Sequence, residues 1–458
     1  MAKTKTIYVC SNCGYTSTKW EGKCYSCGQW NTLKEKALVS ETNRDKRDKV
    51  WKESGRHYAS EAREIKDVAI GNTIRIKTGD AELDRVLGGG IVPGSLILIG
   101  GQPGIGKSTL LLQMALNMGD KVLYVSGEES EEQIKMRANR LSGTQAGTFV
   151  LAENNLSNIL KEAKKMKPAL MIIDSIQTTY SPFIESTPGT ISQIRECTTD
   201  ILRFAKETGI PVFIVGHITK EGSIAGPKLL EHIVDVVIQF EGDRNYNYRI
   251  LRTQKNRYGS TEELGIYEML QTGLRPVENP SELLLSQSDE DFSGSTVAAT
   301  IEGLRAMLIE TQALVSTAIY GTPQRSATGF DLRRLNMILA ILEKRAGMYF
   351  GQKDVFLNIA GGLKIIDPAM DMAIIAALVS SLEDISIPKN ICFAGEISLT
   401  GEIRPVKNIE ARIKEANRLG FEKIFISHNN LKNPLGSKLD IEVIGVKKIE
   451  ELLRHFVI

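Results

Sequence analysis

The stretch SLILIGGQPGIGKSTLL, Ser95 to Leu111, decides the fold. An apolar run of strand type stops at two glycines, and a helix-type run, STLLLQMALNM, follows Lys107. Between them stands the pattern G-x4-G-K-[ST], made by Gly101, Gln102, Pro103, Gly104, Ile105, Gly106, Lys107 and Ser108, with Thr109 next. In a strand–loop–helix setting this pattern is a phosphate-binding loop. Its glycines let backbone amides turn inward, and the helix adds its N-terminal dipole. Lys107 is the expected bridge between β- and γ-phosphates, and Ser108 the expected Mg2+ ligand.

Three further apolar runs follow, KVLYVSGEE, ALMIIDS and PVFIVGH, separated by helical patterns such as SQIRECTTDILRFAKETG. Strands apolar throughout and alternating with helices predict a parallel α/β sheet buried on both faces. Each of these runs ends on a polar residue. Asp174 closes LMIID and is the expected Mg2+ carboxylate. Glu128 follows KVLYVSG and is the expected base that orients the attacking water, with its neighbour Glu129 competing for that role. His217 ends PVFIVG and is either a γ-phosphate or water contact or a loop cap.

At 458 residues the chain is long enough for two or three domains. With 42% hydrophobic and 24% charged residues it has the composition of a soluble globular protein. No apolar run approaches a membrane span, and MAKTKT is no signal peptide, so the expected location is cytoplasmic. Net charge is +2, yet residues 1–60 hold 12 Lys+Arg against 6 Asp+Glu, or +6, which leaves −4 for the rest.

That basic arm contains four of the six cysteines, Cys10, Cys13, Cys24 and Cys27, spaced C-x2-C-x10-C-x2-C with Gly14 and Gly28 after each pair. Four thiolates at this spacing predict a tetrahedral Zn2+ site that creates the fold of a short ribbon, residues 1–33. A charged stretch, 34–64, reads as a linker. The α/β block runs over 65–276, the acidic, serine-rich passage 277–292 reads as a second linker, and a different α+β block occupies 293–458. There, STVAATIEGLRAMLIETQALVS has strand character and ICFAGEISLTGEIRPV reads as a hairpin.

Ahead of the phosphate loop stands LDRVLGGGIVPG, and after the last strand of the block comes RILRTQKNRYG, with Lys255, Asn256, Arg257, Tyr258 and Gly259. The order of these motifs resembles the RecA/KaiC/DnaB group of ATPases. With the four-cysteine ribbon in front and the α+β block behind, the whole chain resembles the bacterial RadA (Sms) family, which usually has Phe where Tyr258 stands. The resemblance implies a RecA-like P-loop ATPase core, a small N-terminal zinc ribbon and a C-terminal Lon-protease-like (ribosomal protein S5 domain 2-like) domain.

The resemblance further implies an ATP-hydrolysing, DNA-dependent motor and helicase. It would form a hexameric ring, translocate on single-stranded DNA and branch-migrate recombination intermediates beside the RecA recombinase in the nucleoid. Lys255 and Arg257 would be supplied in trans to a neighbour's γ-phosphate. Two loops, 177–195 and 219–232, would face the channel, with Lys220 and Lys228 for phosphates and Tyr180 and Phe183 for stacking on bases. The ribbon's partner would be RecA, with a direct DNA contact through Lys19, Trp20 and Lys23 as the alternative.

In the Lon-like match the nucleophilic serine position is Ala369 and the catalytic lysine position is Glu410. Alanine cannot attack a carbonyl, so proteolysis is not expected. The domain reads as an assembly module, with Arg333, Arg334, Lys344, Arg345 and Lys353 available to duplex DNA. A regulatory, KaiC-like ATPase without translocation is the rival reading.

Overall fold

The computed structural model describes residues 4–10, 16–39, 64, 75–141, 146–217, 228–242, 248–285, 290–318, 321–362, 365–432 and 439–456. Strands β1 (Thr4–Cys10), β2 (Thr16–Ser17) and β3 (Leu33–Val39) make a small antiparallel sheet in the order β2-β1-β3. Among the described residues its buried centre is Cys24 and Leu33, with Tyr8 and Cys27 packed against them. Strand β3 carries the ribbon into the charged stretch that begins at residue 34.

The central sheet has nine strands. They are β4 (Leu96–Gly101), β5 (Val122–Ser126), β6 (Thr148–Ala152), β7 (Leu170–Asp174), β8 (Val212–His217), β9 (Val236–Glu241), β10 (Tyr248–Asn256), β11 (Leu264–Leu270) and β12 (Gly273–Pro276). Their order is β12-β11-β10-β9-β4-β8-β7-β5-β6. The six strands from β9 to β6 are parallel, and β10 to β12 add an antiparallel meander. Both faces of the parallel part are covered, as the apolar runs predict. Ile97 and Ile99 of β4 pack with the helix Lys107–Asn117, whereas Leu96 and Leu98 pack with the helices Leu156–Met166 and Ile191–Thr208. Strand β6 escaped the sequence reading, because at the sheet edge its residues are half-buried or exposed and its run is short.

The C-terminal sheet holds β13 (Ser295–Glu302), β14 (Arg305–Thr317), β15 (Arg325–Thr328), β16 (Lys353–Ile359), β17 (Ile391–Ala394), β20 (Lys423–Ser427) and β21 (Glu442–Val446), ordered β15-β16-β14-β13-β17-β20-β21. The strand run after residue 294 is a hairpin of β13 and β14. The expected hairpin over 391–406 is narrower. Only β18 (Glu396–Ile397) and β19 (Ile403–Arg404) pair with each other, while β17 lies parallel between β13 and β20. The reason is burial: Ile391 to Ala394 are apolar on both faces and take a central place.

Residues 277–285 are packed rather than free. Ser281 Oγ, fully buried, accepts from Leu308 N and donates to Glu415, and Leu284 enters the C-terminal core. The turn between β13 and β14 abuts the ATPase block so closely that a Cβ on Gly303 (φ +64°) would fall 1.4 Å from the Glu262 carbonyl oxygen. Among the described residues no helix is long and apolar enough to cross a membrane.

Candidate nucleotide site and its cationic pair

Strand β4 ends at Gly101, and the loop Gln102–Gly106 turns directly into the helix Lys107–Asn117. Gly104 (φ +77°) and Gly106 (φ +115°) adopt left-handed backbone. The φ of Gly106 is strained for any residue with a Cβ, which favours glycine there, and Met269 Cε closes in to 2.7 Å of where a Cβ would stand. No side chain caps the helix start at Gly106, which leaves its amides for an anion. Gln102, Pro103 and Gly104 are exposed, Ser108 and Thr109 are half-buried, and Ile105 anchors the loop in the core.

Lys107 is 4% exposed, and its Nζ donates to the Gly101 and Gln102 carbonyls at 2.8 and 3.0 Å. Burial lowers its pKa to about 8, against the opposing pull of Asp174 and Glu128. That pull places both carboxylates near the ammonium. Asp174 lies at the end of β7, in register with Ser126 of β5, and its Oδ2 accepts from Tyr124 Oη at 2.7 Å. Burial, then the Asp174 charge, holds the Tyr124 phenol well above its usual range, so it stays a donor. Glu128 is exposed, but Ser175 Oγ fixes its Oε1 at 2.7 Å. Glu129 turns away and pairs with Arg137 on the helix Glu131–Ala138. The two competing glutamates thus occupy different surroundings: Ser175, next in the chain to Asp174, holds Glu128, and Arg137 holds Glu129.

Tyr124 and Ser175 were missed in the sequence. A tyrosine inside an otherwise aliphatic buried strand needs a hydrogen-bond acceptor, and that signal was available. Backbone register sets His217 opposite Gly101; its side chain lies outside the described residues, as do Lys220, the Lys228 side chain, Cys13 and the Cys10 side chain. Tyr180 and Phe183 are half-buried, and Gln193 binds the loop that carries them through the Ser181, Ile184 and Ser186 carbonyls.

In the ribbon, Cys24 N–H donates to the Gln29 carbonyl and Gly28 N–H to the Cys24 carbonyl, with Gly28 at φ +71°. This tight turn sets buried Cys24 and half-buried Cys27 on one knuckle, which fits a thiolate metal site. Trp20, Tyr25 and Trp30 are exposed around it, and Lys23 Nζ lies 5.7 Å from the Trp30 ring centre.

Lys255 and Arg257 sit at the other end of the sheet. Lys255 pairs with Val237 and Asn256 with Val236, which in turn face Leu98 and Ile97 at the start of β4. Lys255 Nζ donates to the Glu231 and Val234 carbonyls at 2.6 and 2.8 Å, and Arg257 Nη1 pairs with Asp235 Oδ1 at 3.3 Å. Asn256 Oδ1 accepts from Tyr258 N at 2.9 Å, and Gly259 packs on Gly88 where a Cβ would come within 3.2 Å. The Tyr258 hydroxyl accepts from Lys206 Nζ at 2.9 Å, a bond that Phe could not make.

In the C-terminal domain Ala369 is fully buried, and Glu410 is half-exposed and paired with Lys414 at 2.7 Å. Ser380 and Ser381 are spent on structure: their hydroxyls accept from Gly294 N and Val315 N.

Residues 8–35 are similar to the rubredoxin metal binding domain, 59–223 to the AAA domain and 310–430 to subunit ChlI of Mg-chelatase. Over 457 residues, 99% of both chains, the sequence is 47% identical to "DNA repair protein RadA" of Bacillus subtilis (strain 168). It is 48% identical over 456 residues, 99% of this chain and 98% of the other, to "DNA repair protein RadA" of Listeria monocytogenes. Among solved structures, a KaiC-like protein of Pyrococcus horikoshii OT3 aligns with 45% of this chain and 99% of its own at 19% identity and a TM-score of 0.38. The RadB recombinase aligns with 44% of this chain and all of its own at 23% identity and a TM-score of 0.36.

Proposed function

The chain belongs to the RadA family of DNA repair proteins, and on that premise we propose that it is a DNA-stimulated ATPase working as a ring-shaped motor on recombination intermediates. One observation carries the reading. The Lys255–Arg257 pair lies at the start of β4 while the phosphate loop leaves its end, four residues or about 13 Å further along the strand. The pair turns toward Glu231–Asp235, not toward its own Lys107. Two cations held on an ordered turn and aimed away from their own nucleotide site suit a neighbour's γ-phosphate, so catalysis requires a second copy.

In this reading the amides of Gln102–Gly106 and Lys107 would hold the ATP phosphates, and Ser108 and Asp174 would hold Mg2+, which would offset the phosphate charge. Glu128, oriented by Ser175, takes the proton of the attacking water, with His217 beside it. Hydrolysis around a hexamer would move the channel loops, with Lys220, Lys228, Tyr180 and Phe183, along single-stranded or branched DNA. Zinc on Cys10, Cys13, Cys24 and Cys27 would hold the ribbon that meets RecA. The C-terminal domain would close the ring, not cut peptides.

The test compares Arg257→Ala and Lys107→Ala, alone and mixed, for ATP hydrolysis with and without single-stranded DNA. Each alone should bind or fire poorly, with Arg257→Ala retaining ATP binding and losing turnover by about a thousandfold. The mixture should recover activity, because intact fingers meet intact phosphate loops. Recovery absent from a verified ring would sink the trans assignment. A rate indifferent to DNA would favour a regulatory ATPase.

A further inference from the structure

The carboxylate that Arg257 meets does more than balance its charge. Asp235 is 1% exposed and lies between the short helix Lys228–Ile233 and β9. Its Oδ1 accepts from Arg257 Nη1 at 3.3 Å. Its Oδ2 accepts from Lys206 Nζ at 2.8 Å and from the backbone N–H of Leu96, the first residue of β4, at 3.1 Å. The backbone repeats the link, since Asp235 N–H donates to the Leu96 carbonyl and Arg257 N–H to the Asp235 carbonyl. One buried anion therefore joins the strand that leads to the phosphate loop, the long helix Ile191–Thr208 and the cationic turn. Lys255 stands on the same segment through the Glu231 and Val234 carbonyls.

We propose that Asp235 is the positioning residue of the trans-acting pair: it sets where Arg257 is presented and ties that presentation to the segment 231–235. An unpaired buried carboxylate is costly, so Asp235 keeps a cation beside it. Lys206 meets that need when Arg257 leaves for a neighbour's nucleotide, because it already shares the carboxylate and is steadied by the Tyr258 hydroxyl. Arg257 can thus swing out without leaving a bare charge. Lys255 and Arg257 move off residues 231–235 when they engage, and that segment overlaps the end of the loop 219–232 proposed to meet DNA. This inference rests on the trans reading above.

Asp235→Asn is the probe. The amide oxygen can keep Lys206 and Leu96 N, while the amide nitrogen sets a donor against the Arg257 guanidinium. The full-length protein is used in mixed-subunit rings, scored by ATP hydrolysis, with ring size and thermal melting checked on each mixture. In the parent mixture, Lys107→Ala donates the finger and Arg257→Ala donates the phosphate loop. Placing Asp235→Asn on the Lys107→Ala subunit should cut the recovered rate by up to about a hundredfold, the loss that a 1 Å misplacement of a catalytic group can cause. Placing it on the Arg257→Ala subunit should leave that rate unchanged. A fold defect would lower both mixtures, and equal loss in both overturns the inference, as does no loss in either. If the parent mixture itself recovers nothing, the trans reading has failed and the inference falls with it.

Discussion

Ser175 Oγ donates to Glu128 Oε1 at 2.7 Å, one residue beyond the carboxylate of Asp174. That bond separates two adjacent glutamates that are chemically alike. It holds Glu128 at the end of β7, within electrostatic reach of Lys107, while Arg137 draws Glu129 to the helix Glu131–Ala138.

Glu128→Gln should therefore lower turnover by about a hundredfold or more, the usual worth of a positioned general base, with ATP binding kept. Glu129→Gln should cost only a few-fold. Single-turnover hydrolysis at saturating ATP separates them, and the reverse ranking would move the base to Glu129.

The Lys107 pKa near 8 makes nucleotide binding depend on pH. Burial favours the neutral amine, so free protein loses the charge as pH rises through 8, and phosphate affinity should fall above it. ATP would restore the charge. At pH 8 about half a proton should be taken up per nucleotide bound, by linkage. Calorimetry in two buffers of unlike ionisation heat reads that uptake, and Lys107→Arg should abolish it. The stability sign is opposite. A lysine lowered from 10.5 to about 8 is less protonated when folded than when unfolded between those values. Folding should therefore gain from rising pH across that window, and the gain is absent below 8.

Glu82, 1% exposed on the helix Ala81–Val86, accepts from Ile266 N and from Arg305 Nη1, both at 3.0 Å. Arg305 belongs to β14, so this buried pair joins the ATPase block to the C-terminal domain. Arg305→Ala should cost about 1–3 kcal/mol, because it leaves the buried Glu82 with only the Ile266 N–H and the partly exposed Arg85 at 3.3 Å. Replacing both residues by leucine should recover part of that loss. Urea denaturation of the three variants measures it, and a loss under ~0.5 kcal/mol would show the pair to be solvent-screened.

Cys24→Ser should release zinc and leave ATP hydrolysis in the absence of DNA unchanged, since the ribbon lies apart from the phosphate loop in the chain. Metal content after chelator treatment, read beside the hydrolysis rate, checks both halves. Full zinc retention would remove Cys24 from the ligand set.

Ala369→Ser should not create a protease. Its position is buried, and Glu410 is held by Lys414 rather than serving as a base. Peptide hydrolysis by the variant would overturn that assignment.

Local order wrote the phosphate loop, the carboxylates at strand ends and the cysteine spacing into the sequence, because each is a short-range pattern. Apolar strands between amphipathic helices likewise made the parallel sheet legible, since burial on both faces leaves no polar alternation. Whole-chain motif order sufficed for the family. Pairs distant in the chain were not legible. Asp235 reads as one acidic residue among many until β9, β4 and β10 lie side by side and bring Lys206, Leu96 and Arg257 onto it. Glu82 looks like a surface helix residue until Arg305, 223 positions later, buries it. The different surroundings of Glu128 and Glu129 also waited on the fold, which sets Ser175 against one and Arg137 against the other. A buried charge takes its meaning from the cation beside it, and only the folded chain decides which cation that is.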